Sequence, residues 1–231
     1  MIARNPGSRS HGGRLRMAVP KGALFSDSVR ILQQAGVDVG DLVDPGRQLM
    51  VSTADMDFII ARPTDIPVYV AYGSVDVAIA GKDVLLEANL DVVELLDLRF
   101  GGCRFVVAEP EDAVRSVEEL YRHLGVIRVA TKYPRITEKH FAESGVQVEI
   151  VKLHGNIELA PLIGLADQVV DITATGTTLA QNRLRIVDEV LASTARFVAN
   201  PASMRTQSTR VTELADRIAA VVPLAGEDDA S

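Results

Sequence analysis

Small hydroxyl residues surround a glycine directly after an apolar run, in the segment VVDITATGTTL at positions 169–179. A strand, turn and helix of this composition can aim several backbone N–H groups and threonine hydroxyls at one phosphate. Asp171, near the end of the run, could accept hydrogen bonds from ribose hydroxyls. Taken alone, the pattern favours a simpler interpretation in which threonine only caps the helix. The candidate phosphate ligands are Thr173, Ala174, Thr175, Gly176, Thr177 and Thr178.

Three basic residues stand beside predicted strand ends: Lys21, Arg47 and Arg62. Arg62 follows the run MDFIIA, which places it at the C-terminal edge of a sheet, where open α/β folds bind ligands. An arginine there could hold a phosphate through two parallel hydrogen bonds. Each of the three, taken singly, is more typical of solvated surface, and Arg62 could instead pair with Asp65.

The segment HGNIELAPLIGLAD at positions 154–167 sets Glu158 among apolar residues. Its carboxylate could bind ribose or magnesium, or simply stabilise the N-terminus of a helix. His154 is a poor candidate for a general base, because no partner for it is evident in the sequence.

Two common nucleotide-binding motifs are excluded. Gly81-Lys82 occurs in AGKD, but a P-loop needs a glycine where Asp76 stands and a hydroxyl residue where Asp83 stands. No G-x-G-x-x-G follows a predicted strand, so a dinucleotide-binding Rossmann motif is unsupported. The four histidines are scattered and no C-x-x-C occurs, which argues against structural zinc.

Composition narrows the classes of partner. The 231 residues include 31 acidic and 24 basic side chains, and the net charge of −7 argues against general nucleic-acid or membrane-surface binding. No run without a charged residue approaches the roughly 20 residues that a membrane helix needs. Cys103 is the single cysteine, which excludes an internal disulfide and fits a reducing cytoplasm.

Short β-branched runs alternate with segments of helical periodicity, which predicts α/β layering with mostly parallel sheets flanked by helices. About nine strands fit two small lobes better than one wide sheet. We expect lobe I from 15–98 with 180–224, lobe II from 99–179, and a disordered arm over 1–14. Strands are predicted at 15–19, 56–61, 75–80, 92–98, 103–109, 126–131, 146–153 and 167–173, and helices at 25–35, 133–144, 156–165 and 206–222.

Together these segments resemble the ATP phosphoribosyltransferase family, which opens histidine biosynthesis. One departure is Ala23, where many members carry arginine. The chain ends after its expected last catalytic helix, so it resembles the short form, which works with a regulatory subunit similar to histidyl-tRNA synthetase. The resemblance runs in order through VPKGALF (19–25), RPTDIPVYVAYGSVDVAIAGKDVLLE (62–87), ATKYPRIT (130–137), KLHGNIELAPLIGLAD (152–167), DITATGTTL (171–179) and ANPASM (199–204).

The resemblance implies a two-lobed fold like type II periplasmic binding proteins, with lobe I formed by both chain ends. It implies that N1 of the adenine of ATP attacks C1 of phosphoribosyl pyrophosphate with inversion, and that Mg²⁺, bound mainly through the pyrophosphate, is required. We expect Lys21, Arg47 and Arg62 to meet the leaving pyrophosphate. We expect Glu158 and Asp171 to hold ribose hydroxyls, and the 173–178 segment to hold the 5′-phosphate. Gly73, Asp76, Gly81, Lys82 and Asp83 are expected to border ATP.

A solute-binding protein of the same fold is the main alternative, and a catalytically silent subunit is a third. The first residues lack the apolar core of a secretory signal, which argues against export and capture. We therefore expect a cytoplasmic enzyme that forms a homodimer and joins a hetero-oligomer with the synthetase-like subunit. Neither nucleic acid nor membrane is an expected partner. Any feedback by histidine is expected to need the second chain.

Overall fold

The computed structural model describes residues 13–112 and 117–223, apart from the side chain of Glu118. The chain divides into two compact units: unit 2 is Gly102–Ser193, and unit 1 comprises the residues before and after it. The sequence likewise predicts two α/β units, the first of them discontinuous. The chain returns to unit 1 at Thr194, well after the predicted return at residue 180.

The predicted disordered arm falls largely outside the described residues. Arg14, which was assigned to that arm, lies inside unit 1, where its Nε is 3.2 Å from Asp57 Oδ1. The described structure therefore includes residues that the sequence analysis assigned to the arm.

Strands and helices alternate along most of the chain. The first part of unit 1 holds β1 (Leu15–Pro20), α1 (Phe25–Gln34), β2 (Met50–Ser52), β3 (Met56–Ala61), α2 (Ile66–Ala71), β4 (Val77–Gly81), α3 (Lys82–Ala88) and β5 (Val93–Asp97). Unit 2 holds β6 (Cys103–Pro110), α4 (Val117–Leu124), β7 (Ile127–Thr131), α5 (Pro134–Glu143), β8 (Val148–Lys152), α6 (Leu159–Leu162), β9 (Gln168–Thr173), α7 (Thr177–Gln181) and β10 (Leu184–Ser193). Unit 1 resumes with β11 (Ala195–Ala199), α8 (Pro201–Thr206) and α9 (Ser208–Ala219).

The sheet of unit 1 has the order β2-β3-β1-β4-β11-β5. Strands β3, β1 and β4 are parallel, whereas β2, β11 and β5 join their neighbours antiparallel. The sheet is therefore mixed, which corrects the expectation of a mostly parallel sheet. The cause is the point of return: Thr194 O accepts from Lys82 N (3.0 Å) beside the end of β4, so β11 has to run back along β4.

The sheet of unit 2 has the order β10-β6-β9-β7-β8 and is also mixed. Strands β9, β7 and β8 are parallel, and β6 is antiparallel to both of its neighbours. The sequence analysis missed β10, which pairs with β6 along most of its length and so extends unit 2 to Ser193. It is an edge strand with mostly exposed side chains, so it lacks the apolar run by which strands are recognised.

Both sheets are covered on two faces, which explains why their central strands are apolar at successive positions. In unit 1, Met17, Val19 and Phe58 pack towards α1 and α9, while Ala18 and Ala78 pack towards α2 and α3. In unit 2, alternate residues of β6, β7 and β9 divide in the same way between two apolar clusters. Within the described residues, no helix is long and apolar enough to cross a bilayer.

Candidate functional site

The parallel strands β7, β8 and β9 of unit 2 end at one edge of its sheet. The residues that follow them therefore collect there: Lys132 after β7, the 153–158 loop after β8, and the threonine-rich turn after β9. Asp171 lies near the end of β9 and points to the face that carries Val169 and the α6 segment. This edge gathers every residue that the sequence analysis assigned to the ribose and the 5′-phosphate.

The turn from Thr173 to Thr177 is held by its own hydroxyl groups. Thr173 Oγ1 accepts from Gly176 N (2.7 Å), and Thr175 Oγ1 and Thr177 Oγ1 lie 2.7 Å apart. Gly176 has φ +78°, a left-handed conformation that side-chain-bearing residues rarely adopt, so glycine is needed before α7. The turn therefore presents hydroxyls and N–H groups in an ordered arrangement beside Ala174 and Thr178, which are exposed.

Two other ionisable side chains, Glu158 and Lys132, act on Asp171. Burial raises the pKa of Asp171, the negative charge of Glu158 acts in the same direction, and the Ile172 N–H (2.9 Å) and Lys132 oppose them. Lys132 Nζ lies 3.7 Å from Asp171 Oδ2. The structure thus brings together the two carboxylates that were predicted to hold ribose hydroxyls.

Lys132 was not among the predicted site residues. It lies in the segment ATKYPRIT, directly after a predicted strand, and this position was the available signal. Its place beside Asp171 depends on β7 and β9 being parallel neighbours, with Thr131 opposite Val170. That pairing cannot be obtained from local sequence.

The C-terminal ends of β1, β3 and β4 form the corresponding edge of unit 1. Lys21 follows β1 and Arg62 follows β3, and Lys21 N donates to Ala61 O (2.8 Å) between these strands. Both side chains are exposed. The two cations therefore stand on neighbouring strands at the edge where the sequence placed Arg62.

Lys21 and Arg47 line one pocket of ≈ 220 Å³, together with Phe25 and Ser26 of the first turn of α1 and the 45–49 loop. Arg62 is not among the residues of this pocket. The side chains of Lys21, Arg47 and Arg62 make no hydrogen bond or ion pair within residues 13–112 and 117–223. Their charges are available to an external anion.

The five residues expected to border ATP do not form one group. Gly73 and Asp76 precede β4, whereas Gly81, Lys82 and Asp83 stand at its far end, about 15 Å away for a strand of this length. Only the second set lies at the edge that carries Lys21 and Arg62.

Asp76 has internal partners. Its carboxylate accepts from Arg16 N (2.9 Å), Ser203 Oγ (2.7 Å) and Gln207 Nε2 (3.0 Å), which ties β1 and the start of β4 to α8. Gly73 ends α2 with φ +69°. These contacts explain why this turn is polar without requiring a ligand.

At the other end of β4, Lys82 Nζ is 2.5 Å from Glu94 Oε2. A Cβ at Gly81 would lie 2.0 Å from Asp83 Oδ1, so the Asp83 carboxylate folds back over Gly81. Within the described ranges, no group of three or more histidine, cysteine, aspartate or glutamate side chains could hold a metal ion.

Comparison with known proteins identifies the family of the chain. A family model described as ATP phosphoribosyltransferase matches residues 62–220. Relatives named ATP phosphoribosyltransferase include proteins from Rubrobacter xylanophilus, 48% identical over 85% of this chain and 91% of that protein, and from Moorella thermoacetica, 48% identical over 92% and 95%.

Solved structures share the fold. The ATP phosphoribosyl transferase (HisG:HisZ) complex from Thermotoga maritima contains a chain with a TM-score of 0.77 and 32% identity, covering 90% of this chain and 98% of that one. The alkanesulfonate-binding protein SsuA from Xanthomonas axonopodis pv. citri has a TM-score of 0.53 and 14% identity over 89% and 72%, a likeness of fold alone. With the family model matching more than half of its length, the chain belongs to the ATP phosphoribosyltransferase family.

Proposed function

We propose that this chain transfers the phosphoribosyl group of phosphoribosyl pyrophosphate to N1 of the adenine of ATP, releasing pyrophosphate in the first step of histidine biosynthesis. The observation that carries the proposal is the edge of unit 2, where a threonine-rich turn and two carboxylates stand together at the ends of parallel strands. A sugar phosphate needs these two kinds of partner side by side. Membership of the family supports the same reaction.

The turn from Thr173 to Thr178 is the proposed site of the 5′-phosphate. Phosphate oxygens accept hydrogen bonds, and the turn offers exposed threonine hydroxyls close to the backbone N–H groups that follow Gly176. The internal bonds of Thr173 and Thr175 hold the turn in shape before the ligand arrives. Binding then costs little reordering of the protein.

Asp171 and Glu158 are proposed to accept hydrogen bonds from the ribose hydroxyls. An ionised carboxylate is a strong acceptor with no proton of its own to donate. Two negative charges beside the sugar would also stabilise the positive charge that develops at C1 as the pyrophosphate leaves. The same pair thus serves binding and the chemical step.

Lys21, Arg47 and Arg62 are proposed to meet the leaving pyrophosphate, because their side chains have no partner within the described residues. Charge donors already in place when negative charge develops are worth several kcal/mol, typically about 3. We propose that Mg²⁺ arrives on the pyrophosphate oxygens of the substrate and neutralises part of their charge.

ATP is proposed to bind beside the end of β4, where Gly81, Lys82 and Asp83 stand at the same edge as Lys21. Adenine N1 carries a lone pair, so the attack needs no general base. Gly73 and Asp76 lie at the opposite end of β4, and the three hydrogen bonds of Asp76 support an internal role for its carboxylate.

We further propose that the chain forms a homodimer and assembles with a second subunit of the HisZ type. The support is the similarity to a chain of the Thermotoga maritima HisG:HisZ complex. Light scattering on a size-exclusion column, with the chain alone and mixed with such a subunit, measures both assemblies. A monomer that does not change on mixing would contradict the proposal.

The reaction itself is tested by incubating the purified chain with ATP, phosphoribosyl pyrophosphate and Mg²⁺. We expect pyrophosphate release together with the ultraviolet absorbance of phosphoribosyl-ATP, and neither when one substrate is omitted. A protein that only binds solutes would show calorimetric binding without either product. Binding of both substrates with no turnover, alone and with the HisZ-type subunit present, would overturn the proposal.

A further inference from the structure

We infer that Lys132 is a positioning residue for the reaction: its ammonium group orients the Asp171 carboxylate and keeps it anionic for the ribose. The inference rests on the proposed function, since it concerns the same sugar-binding edge. It adds a residue that carries no obvious chemistry in the sequence and that acts through Asp171.

The register of the sheet places the two side chains next to each other. Thr131 and Val170 are partners in the parallel pair β7–β9, so Lys132 and Asp171 are the next residues along. Lys132 Nζ is 3.7 Å from Asp171 Oδ2, and the two side chains are 36% and 16% exposed. The pair is therefore only partly screened by water.

The backbone around Lys132 is fixed on both sides. Thr131 O accepts from Leu153 N (3.0 Å), and Thr131 Oγ1 accepts from Tyr133 N (2.9 Å). The Tyr133 ring packs edge-on against Phe105, with centroids 4.7 Å apart. Lys132 thus leaves the sheet from a strand end whose backbone is held on both sides.

The groups around Asp171 act on its ionisation in opposite directions, and the Ile172 N–H favours the anion together with Lys132. Glu158, just before α6, raises the pKa of Asp171 in addition to the effect of burial. From β6, Arg104 lies opposite Thr173 and its NH1 is 3.2 Å from Glu189 Oε2, so its charge is directed to β10. Among the described residues, Lys132 is the cationic side chain that lowers the pKa of Asp171.

A protonated Asp171 would lose the negative charge that favours a cationic sugar carbon and would accept hydrogen bonds more weakly. The positive charge of Lys132 opposes this protonation. Lys132 could instead contact the substrate phosphate directly. Other groups would then determine the protonation of Asp171, and replacing Lys132 would leave the acidic limb of the pH profile unchanged.

The test compares pH profiles of kcat/KM for phosphoribosyl pyrophosphate in the wild type, Lys132→Gln and Lys132→Arg. We expect the acidic limb of Lys132→Gln to move to higher pH, so that its loss of activity grows as pH falls. Lys132→Arg should restore the limb, because it keeps the charge. Lys139→Gln is the matched control: this lysine of α5 is 74% exposed and 3.9 Å from Glu143, and its loss should leave the profile unchanged.

A second measurement does not depend on turnover. Carboxyl ¹³C NMR titration of the substrate-free protein, with the Asp171 signal assigned by its absence in Asp171→Asn, should show a higher midpoint in Lys132→Gln than in the wild type. Lys132→Ala gives the same comparison should the glutamine variant fold poorly. This titration tests the inference even if the wild type proves inactive, an outcome that would count against the proposed function instead.

Two results would overturn the inference. An unchanged Asp171 midpoint would show that Lys132 does not control this carboxylate. A KM for phosphoribosyl pyrophosphate raised equally at every pH, with an unmoved acidic limb, would show that Lys132 binds the substrate directly.

Discussion

The two units use the same kind of sheet edge for opposite charges. At the edge of unit 1, Lys21 and Arg62 stand at the ends of parallel strands, and their side chains have no partner within the described residues. At the edge of unit 2, Asp171 is partly buried beside Lys132 and Glu158, and the threonine hydroxyls already bond to one another. The edge of unit 1 thus presents cations that have no partner among the described residues. The edge of unit 2 carries two carboxylates, and its polar groups are bonded to one another.

This difference indicates two ways to prepare a site. Free cations on exposed side chains suit a polyanion that arrives with its own charge, such as pyrophosphate. A sugar phosphate has to be oriented as well as attracted, so its partners are held in place in advance. Changes in the threonine turn of unit 2 should therefore act mainly on binding geometry, and changes in the cations of unit 1 on the charge available to the chemical step.

The largest expected effect is that of Gly176→Val. The residue has φ +78°, a conformation that a β-branched side chain rarely adopts, so the substitution strains the turn that is proposed to hold the phosphate. We expect phosphoribosyl pyrophosphate binding to be lost in calorimetry. Gly145→Val is the control, because Gly145 has φ +70° with open space around it. Equal loss in both variants would attribute the effect to backbone strain instead of to the site.

Arg62→Ala should lower the rate of the chemical step by about 10²-fold, the usual effect of removing one charge donor that stabilises the transition state. Substrate affinity should change less than the rate, which rapid-quench single turnovers can separate. Arg30→Ala is the control, since Arg30 is an exposed residue of α1 whose NH2 lies 2.7 Å from Asp27. Single-turnover rates that match the wild type would remove Arg62 from this role.

Asp171→Asn should separate activity from stability. Activity should fall by about 10²-fold, because the charge beside the sugar is lost. Because burial raises the pKa of Asp171, its ionised form destabilises the fold at neutral pH. The amide should therefore raise the Tm at neutral pH, and the gain should vanish below the ordinary pKa of 3.8, where the carboxyl is protonated in both states.

The control for this variant is Asp188→Asn, which replaces an exposed carboxylate of β10 that lies 3.1 Å from His140. It should leave turnover unchanged. A Tm of Asp171→Asn below that of the wild type at neutral pH would show that the ionised Asp171 stabilises the fold, contrary to its raised pKa.

Asp76→Ala should have the smallest effect on catalysis and a clear effect on folding. Three hydrogen bonds are lost, so we expect unfolding in urea to require about 2–4 kcal/mol less free energy. The KM for ATP should stay within a few-fold of the wild type. Asp91→Ala, at an exposed position before β5, serves as the control. A large rise in the KM for ATP without loss of stability would show that Asp76 contributes to ATP binding, as the sequence analysis expected.

The features that the sequence predicted are those encoded locally. The threonine turn and its glycine lie in one continuous segment, and Arg62 directly follows an apolar run, so both could be located without knowing the fold. The two-unit α/β organisation followed from the alternation of strands and helices. Each of these inferences needed only a short window of sequence.

The features that were missed depend on distant partners. Asp76 looks like a turn residue until Ser203 and Gln207, 127 and 131 residues away, are brought to it. Lys132 needs the pairing of β7 with β9, and β10 has too few buried side chains to show an apolar run. Strand direction in both sheets likewise depends on where the chain returns.

The pairing of β6 with β10 bears on the order in which the protein folds. Unit 1 is interrupted by about 90 residues, and closing a flexible loop of that length costs about 4 kcal/mol of chain entropy. Cys103 and Ser193 are register partners, so a folded unit 2 holds the two ends of the interruption about 5 Å apart. We therefore expect unit 2 to fold first. Once folded, it keeps the two parts of unit 1 close together, so that β11 can insert between β4 and β5. Pulse-labelling hydrogen exchange should find the amides of β6 and β10 protected before those of β11, and the reverse order would contradict this sequence of events.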